Sequence, residues 1–459
     1  MKKIILLAAL GLGLVACATN AKRTTAADKK NTTSMKHPKE WKATTNIYEV
    51  NVRQYTPEGT FRAFEAHLPR LKAMGVETLW FMPITPIAQK NKKGSLGSPY
   101  AAQDYTSINP EFGTMDDFKH LVNKAHEMGF KVIIDWVANH TGWDHVWTKT
   151  HPDFYLKDPK TGDFQIASGM DDIIELDYAN PEMRKAMIEA MKFWVREANI
   201  DGFRCDLASW VEVDFWQQAR PEVEKLKPLF WLGEFDELEH PDYGKVFDAS
   251  YVWTWMHKTE DFNKGKASFR DLKQLLQRYS AIGESSMRAW FTSNHDENTW
   301  NGTEYEKYGV FAKPLAVFSV TWNGVPLIYN AQELPLKTKR LEFFEKDPIP
   351  WKERAELHDF YKALLTLKSS NPALRGGDPS AETILLRTTA EDKVLVYLRK
   401  NGENEVLTVL NFSKEPVEFS VSDERLQGVF RDVFSSGERD FGRHKEFVLT
   451  VSGYGVYQK

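Results

Sequence analysis

The feature that most constrains this chain is an alternation: eight short apolar runs, separated by amphipathic helical patterns, across roughly 330 residues. The runs are NIYEVNV from residue 46, ETLWFMPI from 77, KVIIDWV from 131, GFRCDLA from 202, LFWLGEF from 229, SYVWTW from 250, RAWFTS from 288 and PLIYN from 326. Strands buried on both faces read as near-continuous apolar stretches, so these runs fit a parallel sheet covered by helices. Among the helical patterns, TFRAFEAHLPRLKAMG sets Phe61, Phe64, Leu68 and Leu71 on one stripe and stops at Gly75. TMDDFKHLVNKAHEMG opens with Thr114 and Asp117 in capping-box spacing. NPEMRKAMIEAMKFWVREAN repeats Met183, Met187, Ala190 and Trp194. Eight such units predict an α/β fold, a (β/α)8 TIM barrel; a doubly wound open sheet is the architectural alternative.

Two departures from the alternation divide the chain. The stretch from His140 to Asn180 is too long for a strand-to-helix loop and is expected to form a short insertion after strand three, residues 141–180. From residue 376 the pattern turns into short strands with turns (VLVYLR, EVLTVLNFS, PVEFSV, KEFVLTVSGYGVYQ), the signature of a C-terminal antiparallel β-sandwich domain over 376–459, after a barrel over 41–375. At the other end, MKK is a basic n-region and IILLAALGLGLV an apolar run too short for a comfortable membrane span. LVAC closes it at Cys17 and resembles a bacterial lipobox, which implies a signal peptide over 1–17, acylation of Cys17 and a lipid-anchored protein of the bacterial cell envelope. Residues 18–40, polar and rich in Lys, Thr and Ala, read as a tether.

The chain has two cysteines, so an acylated Cys17 leaves Cys205 without a disulfide partner. With 60 basic against 64 acidic residues and a net charge of −4, nothing suggests a nucleic-acid partner. Fifteen tryptophans suit a protein that stacks flat ligands such as sugar rings.

In a strand–helix barrel the active site forms at the C-terminal ends of the strands, and the polar residues of these runs fall there. Strand three ends in Asp135, then Asn139 and His140; strand four in Arg204 and Asp206; strand five in Glu234; strand seven runs into Asn294, His295 and Asp296. Strand side chains repeat every two residues, so Arg204 and Asp206 share a side and Cys205 faces away into the core. One acid after a strand is commonly a cap, but acids, histidines and an arginine converging from four strand ends point to chemistry. A metal-dependent hydrolase is one candidate; the absence of HxH, HExxH or CxxC spacing and the presence of Arg204 argue against it. An arginine beside Asp206 is expected to lower that carboxyl's pKa and keep it ionised. An ionised Asp206 facing a protonatable Glu234 is the pair that retaining glycoside hydrolysis requires, with the two groups ~5–5.5 Å apart. Asp296 suits hydrogen bonds to sugar hydroxyls that tighten as positive charge develops.

DWVANH, GFRCDLASW, WLGEF and FTSNHDE, in this order and at barrel-like separations, resemble the four short conserved regions of the α-amylase family of glycoside hydrolases. The resemblance covers about residues 45–459 and implies Asp206 as nucleophile, Glu234 as general acid/base and Asp296 as transition-state stabiliser. It implies that Arg204 orients Asp206 with Asp135 behind it, and that His140 and His295 bind hydroxyls of the sugar being cleaved. GSPYAAQDY resembles the family stretch that supplies a stacking tyrosine, here Tyr100. Where many relatives carry Lys-His after the nucleophile, to contact the leaving sugar and help hold a structural calcium, this chain has Ser209-Trp210. Trp210 could take the first role by stacking. Asn139 matches a calcium ligand, but the missing Lys-His weighs against calcium, and no cofactor is firmly implied. The expected activity is retaining hydrolysis of α-1,4 bonds in maltooligosaccharides or α-glucans. A transglucosylase or a cyclodextrin- or pullulan-degrading relative is the alternative. A non-catalytic sugar-binding scaffold would be expected to have lost one of the three acids.

Overall fold

The computed structural model describes residues 40–283 and 286–459; Cys17, the leader and nearly all of the tether lie outside the described residues. The first three strands are β1 (Ile47–Val50), β2 (Thr78–Phe81) and β3 (Lys131–Val137), followed in the insertion by β4 (His140–Gly142) and β5 (Ile173–Glu175). The chain returns with β6 (Gly202–Asp206), β7 (Phe230–Asp236), β8 (Ala249–Tyr251), β9 (Met287–Trp290) and β10 (Val325–Ile328). They close into a parallel barrel in the order β1-β10-β9-β8-β7-β6-β3-β2, so each of the eight expected runs contributes one barrel strand. All positions of seven of these strands are buried, and only Lys131 of β3 is partly open, because helices cover the outside and side chains fill the inside.

Local chemistry explains the helices. Thr114 and Asp117 form the expected reciprocal cap at the start of Met115–Glu127, and Asn180 caps Pro181–Ala198, whose Met183, Met187, Ala190 and Trp194 are buried. The pattern at 60–75 is two helices rather than one, Phe61–Glu65 and Leu68–Met74, with Pro69 in the first turn of the second. A proline has no N–H to donate one turn back, so the chain breaks ahead of it and restarts. The run at 250 is also shorter than its apolar length: β8 stops at Tyr251, and Trp253 opens the helix Trp253–Asn263, whose Thr254 N–H donates to the Asp236 carboxylate (2.8 Å). Gly202 starts β6 because a Cβ there would run into the carbonyl oxygen of Phe230 on β7.

The C-terminal region, from Glu382, has eight antiparallel strands in two sheets. The larger contains β11 (Glu382–Leu385), β12 (Val394–Asn401), β13 (Asn404–Asn411), β15 (Val429–Asp432), β16 (Glu438–Asp440) and β18 (Tyr454–Gln458). A two-stranded ribbon of β14 (Val417–Ser420) and β17 (Glu446–Leu449) lies against it, so the two layers are unequal. The period-two rule sorts β12 cleanly: Val394, Val396 and Leu398 enter the core shared with the ribbon, and Leu395 and Tyr397 join the barrel core. Among the described residues no helix is long and apolar enough to cross a membrane.

Candidate active site

Arg204, fully buried on β6, organises the C-terminal mouth of the barrel. Its Nη1 donates to Asp135 Oδ1 on β3 (2.9 Å) and to Asp206 Oδ1 two residues along its own strand (2.8 Å). Its Nη2 lies 2.8 Å from Glu234 Oε2 on β7, although not aligned for a hydrogen bond, and its Nε donates to the Tyr251 hydroxyl (3.3 Å). The guanidinium also sits over the Trp80 ring, 5.0 Å from its centroid, while Trp80 Nε1 donates to the other oxygen of Asp135 (3.1 Å). One cation thus lies within 3 Å of three carboxylates from three strands, Asp135, Asp206 and Glu234.

Beside this lies a second group. His295 Nδ1 pairs with the buried Glu49 of β1 (2.6 Å), and Nε2 meets the Tyr100 hydroxyl (2.8 Å) and lies 3.3 Å from Asp296 Oδ2. Tyr100 OH in turn donates to Asp135 Oδ2 (3.0 Å), which links the two groups. Both nitrogens of His295 thus have protein neighbours, Glu49 on one side and Tyr100 and Asp296 on the other. His140 does have a free nitrogen, a buried Nε2 without a partner, while its Nδ1 faces the Asn139 amide (3.3 Å). The Tyr100 ring is buried and lies within 15° of parallel to both His295 and Phe343. Trp210 follows β6 in the short helix Ala208–Trp210 and is 56% exposed. Cys205 is buried on the opposite side of β6, as the alternation requires.

Between Asp206 and that helix sits Leu207, with φ +43° in the left-handed region that a side chain disfavours. This turn aims its N–H at Glu234 Oε2 (2.9 Å). Strain at this position is coupled to holding the carboxyl.

The electrostatics separate the acids. Burial, reinforced by Asp135 and Asp296, pushes the Asp206 carboxyl up to about 6 even though Arg204 pulls it down. The expected net lowering is therefore overturned: Arg204 does pull the carboxyl down, but it is shared among three acids and desolvation outweighs its share. Burial pushes Glu234 higher, to about 7, with Asp206 and Asp296 adding to the effect. Asp296, with a side chain 37% exposed, goes the other way: burial raises it, but the adjacent His295 more than compensates and holds it below its ordinary value. Burial opposes the charge on His295, yet Asp296 and Glu49 keep its pKa well above normal. Burial lowers His140 to about 4, so it is a neutral imidazole. Among the described residues no three His, Cys, Asp or Glu side chains gather in a way that could hold a metal ion, and the Asn139 amide faces His140. The described residues thus offer a calcium ion no clustered carboxylates.

Glu49, Trp80 and Tyr251 belong to the site but escape the sequence reading. Only Glu49 left a trace, as a lone acid inside the apolar run NIYEVNV.

Residues 22–168 and 152–380 match the family model of the alpha amylase catalytic domain, and residues 385–457 match that of the maltogenic amylase C-terminal domain. Alpha-amylase 2 of Dictyoglomus thermophilum is 26% identical over 404 residues, 82% of this chain and 67% of that one. A cyclomaltodextrinase of Geobacillus thermopakistaniensis is 26% identical over 432 residues, 86% of this chain and 69% of that one, so the chain spans about two thirds of these relatives. Among solved structures, a maltogenic alpha-amylase from Thermotoga neapolitana superposes with a TM-score of 0.78 at 30% identity, covering 91% of this chain and 96% of that one. An alpha-amylase from Lactobacillus plantarum does so with a TM-score of 0.81 at 28% identity, covering 92% and 100%.

Proposed function

This chain belongs to the α-amylase family of glycoside hydrolases, and on that premise we propose that it cleaves α-1,4 bonds of maltooligosaccharides or α-glucans with retention of configuration. The observation that carries the reading is one guanidinium, Arg204, between Asp206 and Glu234, two buried acids whose pKa values lie at about 6 and about 7. The two titrate as a pair, so between those values the pair carries one proton and one charge, which is the division of labour that a double displacement needs. In this mechanism Glu234 gives its proton to the leaving oxygen as the free oxygen of Asp206 bonds to the anomeric carbon. The Asp206 oxygen held by Arg204 stays in place, and burial limits competition from water. Water then enters, Glu234 takes one of its protons, and the water oxygen bonds to the anomeric carbon as the glycosyl–Asp206 bond breaks. Asp296, kept charged by His295, faces the positive charge that builds on the ring in both steps, and the unpartnered Nε2 of His140 is free to meet a sugar hydroxyl.

Maltoheptaose cleavage by Asp206→Asn and Glu234→Gln, each with unchanged circular dichroism, tests this. Near-normal turnover by either variant defeats the assignment. An α-anomeric first product supports retention, and a β-anomer refutes it. A second reading, action on cyclic maltodextrins or transfer to a sugar acceptor, is favoured by the match of residues 385–457 to the maltogenic amylase C-terminal domain. Turnover of β-cyclodextrin faster than maltoheptaose would select it.

Export and anchoring through Cys17 complete the proposal, supported by the basic MKK, the apolar run after it and LVAC. Cys17→Ala should move the protein from the membrane pellet to the soluble fraction; an unchanged partition defeats the anchor.

A further inference from the structure

An unassigned row of aromatic rings leads away from the catalytic acids. It begins at His295 and Tyr100, whose centroids are 5.1 Å apart, and continues to Phe343, 6.1 Å from Tyr100. Trp300 follows, 5.5 Å from Phe343, with Phe344 5.8 Å from Trp300. Exposure grows along the row: Tyr100 is 8% exposed, Phe343 is half-buried and Trp300 is 53% exposed. Trp300 stands in the π-helical turn Glu297–Asn301 directly after Asp296, and Phe343 in the irregular segment after β10. Two separate loops therefore supply one surface continuous with the reaction centre.

The barrel order fixes which side of the scissile bond this surface serves. The acid Glu234 stands on β7 and the exposed Trp210 follows its neighbour β6; β10 is four places round the ring from β6. The proton donor must sit beside the leaving group, so the β7 side of the mouth faces the departing part of the chain. The row at β9–β10 faces the part that remains on the enzyme.

We propose that Trp300, with Phe343 beneath it, is a sugar-stacking platform for the non-reducing portion of the glucan and sets how many residues lie on that side when the bond is cut. The platform presents indole and phenyl faces to the apolar faces of consecutive glucose rings, and it rests on the α-glucan reading above. The Trp300 ring is tilted 44° to Phe343 and 55° to Phe344 and remains half exposed.

The test uses maltoheptaose carrying a reducing-end p-nitrophenyl group, digested by the parent enzyme, Trp300→Ala, Trp300→Phe and Asp206→Asn. Trp300→Ala should lower kcat/KM about 3- to 10-fold. It should also shift cleavage toward the non-reducing end, which shortens the unlabelled product. Trp300→Phe, which keeps a ring, should restore much of both. An unchanged cleavage pattern overturns the proposal, as does a shift toward the labelled end, which would put Trp300 on the leaving side. Failure of the α-glucan reading is recognised separately, because Asp206→Asn would then still cleave or the parent enzyme would not.

Discussion

The barrel holds a charge cluster at each end, and the two are built on opposite plans. At the N-terminal end, just ahead of β7 and β8, two cations meet two carboxylates, Asp248 between them and Glu224 3.5 Å from Arg220. Asp248 accepts from Lys42 Nζ (2.7 Å), Arg220 Nη2 (2.8 Å) and the Trp231 N–H (2.9 Å), and Lys42 also donates to the Leu229 carbonyl (2.6 Å). At the C-terminal end Arg204 stands among three carboxylates, Asp296 and Glu49 beside them share the charged His295, and an imidazole nitrogen of His140 is left without a partner. The first arrangement matches donors to acceptors and clamps the helix Glu40–Thr44 onto the barrel floor. The second crowds like charges, and its unmatched atoms are places for a substrate. Charge held in balance reads as architecture; charge held in excess reads as chemistry.

The largest test of this contrast is Glu234→Gln, which should lower kcat by about 10³-fold or more without lowering Tm at pH 8. Asp248→Asn should do the reverse. Stripping the acid from Lys42 and Arg220 should cost about 3 kcal/mol of stability, measured by urea unfolding, with kcat per folded molecule unchanged. If both variants lost activity and stability alike, the contrast would collapse. Next comes the pH–rate profile: kcat/KM should peak between about 6 and 7, falling on the acid side as the carboxyl pair gains a proton and on the alkaline side as Glu234 loses its own.

Stability should sharpen the comparison further. Asp206 moves from its ordinary 3.8 up to about 6 in the fold, so over that interval the folded chain retains a proton that the unfolded chain has lost. Its contribution therefore destabilises progressively as pH rises from about 4 to 6 and then levels off. Asp206→Asn should match the parent Tm near pH 4 and exceed it above pH 6.5, and a higher parent Tm at pH 8 would reverse the sign. Smallest of all, a calcium chelator should change activity less than about twofold, since the donor set around Asn139 lacks clustered carboxylates.

The barrel was legible because its strands are buried on every side, and such strands write themselves as unbroken apolar runs. Where an apolar run belonged to two elements, as at Tyr251 and Trp253, composition could not mark the join; an acid seventeen residues earlier, Asp236, does so by capping the helix. The three acids and Arg204 were legible from spacing and resemblance, but the direction of the Asp206 shift was not. A sequence shows that an arginine is near; it does not show that Asp135 and Glu234 share it or how little water remains. The pairing of His295 with Glu49, 246 residues away, and the meeting of Trp300 with Phe343 arise only on barrel closure and loop folding.

The left-handed turn at Leu207 has one more consequence. The Leu207 N–H donates to Glu234 Oε2, and the Arg204 guanidinium lies 2.8 Å from the same oxygen. An oxygen that already accepts one hydrogen beside a positive charge is a poor home for another, so Oε1 is the oxygen placed to carry the labile hydrogen. The linkage atom has to come to that oxygen. Which bonds this catalyst opens is thus decided partly by a backbone bend that never meets the sugar.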